Sequence, residues 1–73
     1  MSERRDKVDT KKIGKRLAKL RGDKPQARVA QDIGIAPTTL SMYENGERMP
    51  RDNIKLKISN YYGVTVESIF FTK

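Results

Sequence analysis

The sequence predicts an all-α domain, a compact bundle of five short helices, and three observations lead to this fold class. The chain has 73 residues and no cysteine, so its core is small and no disulfide stabilises it. Apolar residues recur at spacings of three and four, which is the period of a helix that packs on one side. Glycine or Asn-Gly follows the first four of these periodic stretches, as expected where short helices end.

The chain divides into an arm and one domain. The first nine residues have no apolar period, and we predict a flexible charged N-terminal arm at 1–9 and a folded domain at 10–73. The domain begins with a helix that has an Asp9 or Thr10 cap and ends at Arg21-Gly22. Its apolar stripe has spacing i, i+4, i+7 and consists of Ile13, Leu17 and Leu20. The basic residues on its other faces form a solvated polar surface: Lys11, Lys12, Lys15 and Arg16.

A second and a third helix follow with a very short connection. The second begins near Pro25, whose missing N–H suits a first turn, and it is stopped by Gly34. The third runs from Pro37 to Asn45, before Gly46. Two short helices joined by a turn of about three to four residues that contains Gly34 form a helix-turn-helix unit, and we expect a positive φ at Gly34. The positions before both helices lack the usual Ser, Thr or Asn cap and hold Pro25 and Ala36.

The last third of the domain is more ambiguous. Residues 54–58 alternate between apolar and charged, which alone indicates a strand. A wider window favours a fourth helix, because Ile54, Ile58, Tyr61 and Tyr62 then share one face. This leaves Leu56 exposed. Thr65 caps a final short turn in which Ile69 and Phe70 close the core. All the aromatic residues are predicted core members: Tyr43, Tyr61, Tyr62, Phe70 and Phe71.

Charge and residue types restrict the function. The net charge of +7 arises entirely in residues 1–28, with eleven basic and four acidic groups. This asymmetry indicates a polyanionic partner, nucleic acid before membrane. The absence of histidine and cysteine removes imidazole bases, thiol nucleophiles and the usual zinc ligands, so we expect neither an enzyme nor a metal or cofactor. No apolar run spans a membrane and no signal peptide is visible, which predicts a cytoplasmic protein.

The chain also resembles a known family over residues 11–71. The resemblance is carried by the run from Gln26 to Gly46, QARVAQDIGIAPTTLSMYENG, and by Arg48-Met-Pro50 and Tyr62-Gly-Val-Thr-Val66. These motifs are similar to those of the phage Cro/repressor-type helix-turn-helix domains, the lambda repressor-like or XRE family. The resemblance implies a five-helix DNA-binding domain with a central helix-turn-helix, and an ion pair between Arg21 and Glu44.

The resemblance further implies that the helix from Pro37 to Asn45 enters the major groove of double-stranded DNA. The base-contacting residues would be Pro37, Thr38, Thr39 and Met42. The helix has no Arg or Gln among these residues, so bidentate reading of guanine or adenine is replaced by hydroxyl bonds and by contact with thymine methyl groups. The phosphate-contacting residues would be Gln26, Arg28, Ser41, Asn45, Arg48 and Arg51, with Lys24 adding charge. A further hypothesis places the arm residues Arg4-Arg5-x-Lys7 in the minor groove.

These features favour a transcriptional regulator of the small Cro-like or repressor type, which acts as a homodimer, at least on DNA, with no membrane partner. The candidate dimer surface is Leu56 with the Ile69-Phe70-Phe71 end, although these phenylalanines could instead close the core. The main alternative is an adaptor or antitoxin that works through a protein partner. An enzyme built from carboxylates and lysines and an RNA-binding protein remain as weaker alternatives.

Overall fold

Five helices follow one another along residues 9–71, the part of the chain that the computed structural model describes. They are α1 (Thr10–Arg21), α2 (Gln26–Ile33), α3 (Pro37–Glu44), α4 (Asp52–Tyr62) and α5 (Val66–Phe70). The five-helix, all-α prediction is confirmed, and the alternating segment 54–58 lies inside α4. α3 ends one residue earlier than predicted, with Asn45 as its C-cap. The predicted arm at 1–9 lies, apart from Asp9, outside the described residues.

The helix ends follow the local sequence. The Asp9 carboxylate accepts hydrogen bonds from the backbone amides of Lys11 and Lys12 at 3.1 and 3.2 Å, and Thr65 caps α5 through the Ser68 amide at 3.1 Å. The N-cap positions of α2 and α3 hold Pro25 and Ala36, and neither residue provides a side-chain cap, as the sequence indicated.

Gly34 makes the tight turn between α2 and α3 possible. Its backbone is left-handed, with φ 96° and ψ 34°, a conformation that is strained for residues with a β-carbon. The amides of Gly34 and Ile35 both donate to the carbonyl of Ala30, at 2.8 and 2.9 Å. Ala30 is itself fully buried, so its small side chain permits the two helices to cross closely.

One hydrophobic core joins all five helices. Its members, each at most 7% exposed, are Ile13, Leu17, Val29, Ala30, Ile33, Leu40, Tyr43, Ile58, Ile69 and Phe70. Tyr61 and Tyr62 pack against the core but are only partly buried. The prediction that Phe71 is a core residue is wrong, because its side chain is 58% exposed. α5 ends at Phe70, and Phe71 is its C-cap, one position beyond the helical face that packs on the core.

α1 is fixed to the rest of the domain along two of its faces. On one face, a β-carbon on Gly14 would lie 2.8 Å from both the carbonyl carbon of Glu44 and the carbonyl oxygen of Tyr43, so only glycine permits this approach to the end of α3. On the other, Arg16 is not simply solvated as predicted: its Nη1 donates to the carbonyl of Ile69 at 3.0 Å. Arg16 thereby satisfies a carbonyl at the end of α5.

None of the helices between residues 9 and 71 combines the length and apolar content that a bilayer crossing requires.

Candidate nucleic-acid interface

α3 presents a distinct outward face. Leu40 and Tyr43 are buried, and at about 100° of rotation per residue the opposite side of the helix is centred on Thr38 and Asn45. Both of these residues are exposed, and Met42 beside them is partly buried. Among the other predicted contacts, Pro37 is exposed at the first turn and Thr39 is partly buried at the edge of the face. α3 therefore offers a mixed hydroxyl, amide and apolar surface without a formal charge.

An ion pair fixes the end of α3 to α1. The guanidinium of Arg21 donates two hydrogen bonds to the Glu44 carboxylate, from Nε to Oε2 at 2.8 Å and from Nη2 to Oε1 at 3.0 Å. The Glu44 side chain is 4% exposed and that of Arg21 is 20% exposed. The hydrogen bond to Glu44 raises the pKa of Arg21 above its usual value, so the guanidinium keeps its charge and its hydrogen bonds are charge-assisted.

Gln26 extends this pair to α2. Its Nε2 donates to Glu44 Oε1 at 2.8 Å, while Arg21 Nη1 donates to the carbonyl of Lys24 at 2.7 Å, just before α2 begins. The side-chain amide nitrogen of Gln26, predicted to contact phosphate, is thus engaged within the protein. Because Pro25 provides no side-chain cap, the first backbone amides of α2 remain open to an acceptor from outside.

The remaining predicted phosphate contacts lie around α3 and on α2. Asn45 is exposed and its Nδ2 is 3.4 Å from Ser41 Oγ, one turn earlier. Arg48 and Arg51 are exposed in the segment between α3 and α4, and neither forms an ion pair within residues 9–71. Arg28 is different, since its Nε lies 3.4 Å from the Asp32 carboxylate.

The sequence interpretation did not identify two features of this surface. The Arg28–Asp32 pair has the i, i+4 spacing that favours such contacts on a helix, so the sequence contained a signal for it. The hydrogen bond from Tyr61 Oη to Asp32 Oδ2, at 2.7 Å, joins residues 29 positions apart and has no local signal. Tyr62 is also unusual, because its hydroxyl is buried without a partner among residues 9–71.

Comparison with known proteins agrees with this architecture. A family model described as helix-turn-helix matches residues 15–69. The chain belongs to this helix-turn-helix family. The resemblance stated from the motifs is therefore confirmed at the level of the family.

Among curated proteins, the uncharacterized HTH-type transcriptional regulator YvzC of Bacillus subtilis (strain 168) is 36% identical to this chain over 44 residues. The match covers 60% of this chain and 57% of the relative. The chain thus matches little more than half the length of that relative. The matching length is shorter than the helix-turn-helix domain described above.

Proposed function

We propose that this helix-turn-helix chain is a sequence-specific DNA-binding transcriptional regulator that inserts α3 into the major groove. The observation that carries the proposal is the outward face of α3. This face points away from the core, and backbone amides and arginine side chains that can bind phosphate lie on either side of it. Thr38 and Met42 supply hydroxyl and apolar contacts on that face. The relative named as an HTH-type transcriptional regulator supports the same class of function.

Phosphate contacts come from the two ends of the helix-turn-helix unit. The open amides at the start of α2 donate hydrogen bonds to one backbone phosphate, and the Arg21–Glu44–Gln26 network holds that helix end beside the end of α3. The exposed cations after α3, Arg48 and Arg51, add charge at the other side. Such contacts set the register of the domain on DNA but do not read sequence.

This surface discriminates only modestly between base pairs. The outward face of α3 carries no Arg or Lys, so the strong bidentate contact to guanine is missing. Threonine hydroxyls and the Met42 side chain favour sites that contain thymine, and DNA shape supplies further discrimination. A binding site selected from random DNA is expected to be rich in A·T pairs where α3 lies.

The regulator acts as a homodimer on DNA, and the candidate interface is centred on two exposed apolar side chains. Leu56 and Phe71 are 56% and 58% exposed and both line a shallow depression with Asp52 and Lys55. Ile69 and Phe70, which the sequence also offered for this surface, are buried in the core. Asp52 Oδ1 and Lys55 Nζ lie 3.8 Å apart within one chain, so the exposed apolar side chains of Leu56 and Phe71 would form the centre of a two-fold interface in which this patch meets its own copy.

The test is selection of binding sites from a random duplex pool, followed by fluorescence anisotropy on the selected and a scrambled duplex at about 50 to 200 mM salt. We expect a preference of roughly a thousandfold for the selected duplex that persists as salt rises. Equal binding to both duplexes that collapses with salt would contradict sequence-specific regulation. Absence of binding at the lowest salt would instead favour an adaptor or antitoxin that acts through a protein.

A further inference from the structure

A small polar cluster lies where α2 meets α4. Asp32, in the last turn of α2, receives a hydrogen bond from Tyr61 Oη on α4 at 2.7 Å. The same carboxylate lies 3.4 Å from Arg28 Nε. Lys24 Nζ is 3.4 Å from Tyr61 Oη and sits over the tyrosine ring, 5.1 Å from its centre. One carboxylate and one tyrosine thus contact two cationic side chains beside the start of α2.

The position of this acid is unexpected for a surface that binds a polyanion. Lys24 and Arg28 flank the N-terminus of α2, which is the phosphate-binding end in the proposed function. Asp32 offsets part of their charge and repels phosphate directly. Core packing does not account for the carboxylate, because the Asp32 side chain is 30% exposed.

Tyr61 gives the Asp32 carboxylate a more fixed position than it would have in an ordinary surface ion pair. The ring of Tyr61 contacts Tyr62 edge to face at 5.2 Å and packs against the core, so its hydroxyl has a defined position. The hydrogen bond from that hydroxyl, followed by the charge of Arg28, lowers the pKa of Asp32. Like any aspartate whose pKa is not raised, Asp32 is ionised near neutral pH, and its charge competes with phosphate for Arg28.

We propose that Asp32, held by Tyr61, is a positioning residue that restrains Arg28 and Lys24 and thereby limits sequence-independent DNA binding. The inference rests on the proposed function. Arg28 must leave Asp32 before it can contact a phosphate freely, and the remaining carboxylate opposes that contact. Non-specific complexes depend almost wholly on such phosphate contacts, so they are weakened more than specific ones.

The decisive variant is Asp32→Asn, tested by anisotropy on a random-sequence duplex between about 50 and 200 mM salt. We expect non-specific affinity at the lowest salt to rise about three- to tenfold, and the slope of log K against log salt to steepen by about 0.9, the value for one added phosphate contact. Adding Arg28→Gln to Asp32→Asn should remove most of this gain. Asp32→Glu should keep the restraint, and Tyr61→Phe should give a smaller gain.

The matched control is Glu67→Gln, which makes the same change in net charge on α5, at an exposed residue outside this cluster. An equal gain in Glu67→Gln would show an effect of net charge alone and would overturn the inference, as would an unchanged salt slope in Asp32→Asn. Circular dichroism tests whether each variant is folded. If Asp32→Asn does not fold, the inference is tested by Tyr61→Phe, whose non-specific affinity for DNA should rise. Wild-type protein that binds no duplex at the lowest salt would overturn the proposed function itself.

Discussion

Arg21 and Glu44 form a two-pronged ion pair that joins the end of α1 to the end of α3, with bonds of 2.8 and 3.0 Å. Because the Glu44 side chain is 4% exposed, its removal leaves a guanidinium and the Gln26 amide without their partner. We expect Glu44→Ala to lower the free energy of unfolding by about 2 to 4 kcal/mol, measured by urea denaturation.

The control for that prediction is the exposed pair on α2. Arg28→Ala breaks a salt bridge whose arginine side chain is 67% exposed, and such pairs contribute about 0 to 1 kcal/mol. Similar losses in the two variants would contradict the view that burial makes the Arg21–Glu44 pair important.

Gly14 is predicted to be intolerant of even one added methyl group. Helix propensity alone would make Gly14→Ala stabilising by about 1 kcal/mol. The new β-carbon would instead meet the backbone of Tyr43 and Glu44 within 2.8 Å, and backbone atoms cannot rotate away. We expect a net loss of about 2 kcal/mol or more in thermal or urea unfolding. Lys15→Ala, at the exposed neighbouring position, should change stability by less than about 0.5 kcal/mol.

Local patterns were sufficient to predict the helices. The periods around Leu17, Ile33 and Ile58 identify buried stripes, and Gly22, Gly34 and Gly63 mark where helices end. The segment 54–58 shows the limit of a short window, because its alternation fits a strand until Tyr61 and Tyr62 are considered. Phe71 shows another limit, since one residue past a helix end a phenylalanine can equally face the core or solvent.

The candidate site was only partly predictable. The outward residues of α3 follow from the burial of Leu40 and Tyr43. The contact of Gly14 with α3 and the bond from Tyr61 to Asp32 depend on how distant helices cross. Spacing along the chain carries no information about such crossings. The Arg21–Glu44 pair became an expectation only through the family resemblance.

Thr38 and Arg48 are predicted to have separable effects on DNA binding. Arg48→Gln should weaken binding to selected and scrambled duplexes alike and reduce the salt slope by about 1, because phosphate contacts are independent of sequence. Thr38→Ala should leave the slope unchanged and cost about 1 kcal/mol or more on the selected duplex alone. Anisotropy on both duplexes distinguishes the two patterns, and a sequence-independent loss in Thr38→Ala would exclude base reading by that residue.

Leu56 is predicted to support self-association without supporting the fold. It is 56% exposed, so Leu56→Ala should change the stability of the monomer by less than about 0.5 kcal/mol. In a two-fold dimer both copies lose the side chain, and we expect dimerisation to weaken about tenfold or more in sedimentation measurements, a change of about 1.4 kcal/mol. Leu20→Ala, at another partly exposed leucine on α1, is the matched control, and equal weakening there would place the interface elsewhere.

Tyr62 is predicted to make the domain sensitive to alkaline pH. Burial of its hydroxyl, reinforced by the charge of Glu44, raises its pKa from 10.0 to about 12. Between these two pH values the unfolded chain releases the Tyr62 proton while the folded chain retains it, so stability falls as pH rises. With allowance for solvent screening, the fall due to this group is about 1 to 2 kcal/mol. Urea unfolding of wild-type protein and Tyr62→Phe should therefore diverge above pH 10, with the variant less affected.

Near neutral pH the same substitution removes a buried hydroxyl that has no partner within residues 9–71 and should be neutral or stabilising by up to about 1 kcal/mol. The control is Tyr61→Phe, which loses the hydrogen bond to Asp32 and should be destabilising at neutral pH. If the free energies of unfolding of wild-type protein and Tyr62→Phe change with pH in parallel, the raised pKa of Tyr62 is contradicted.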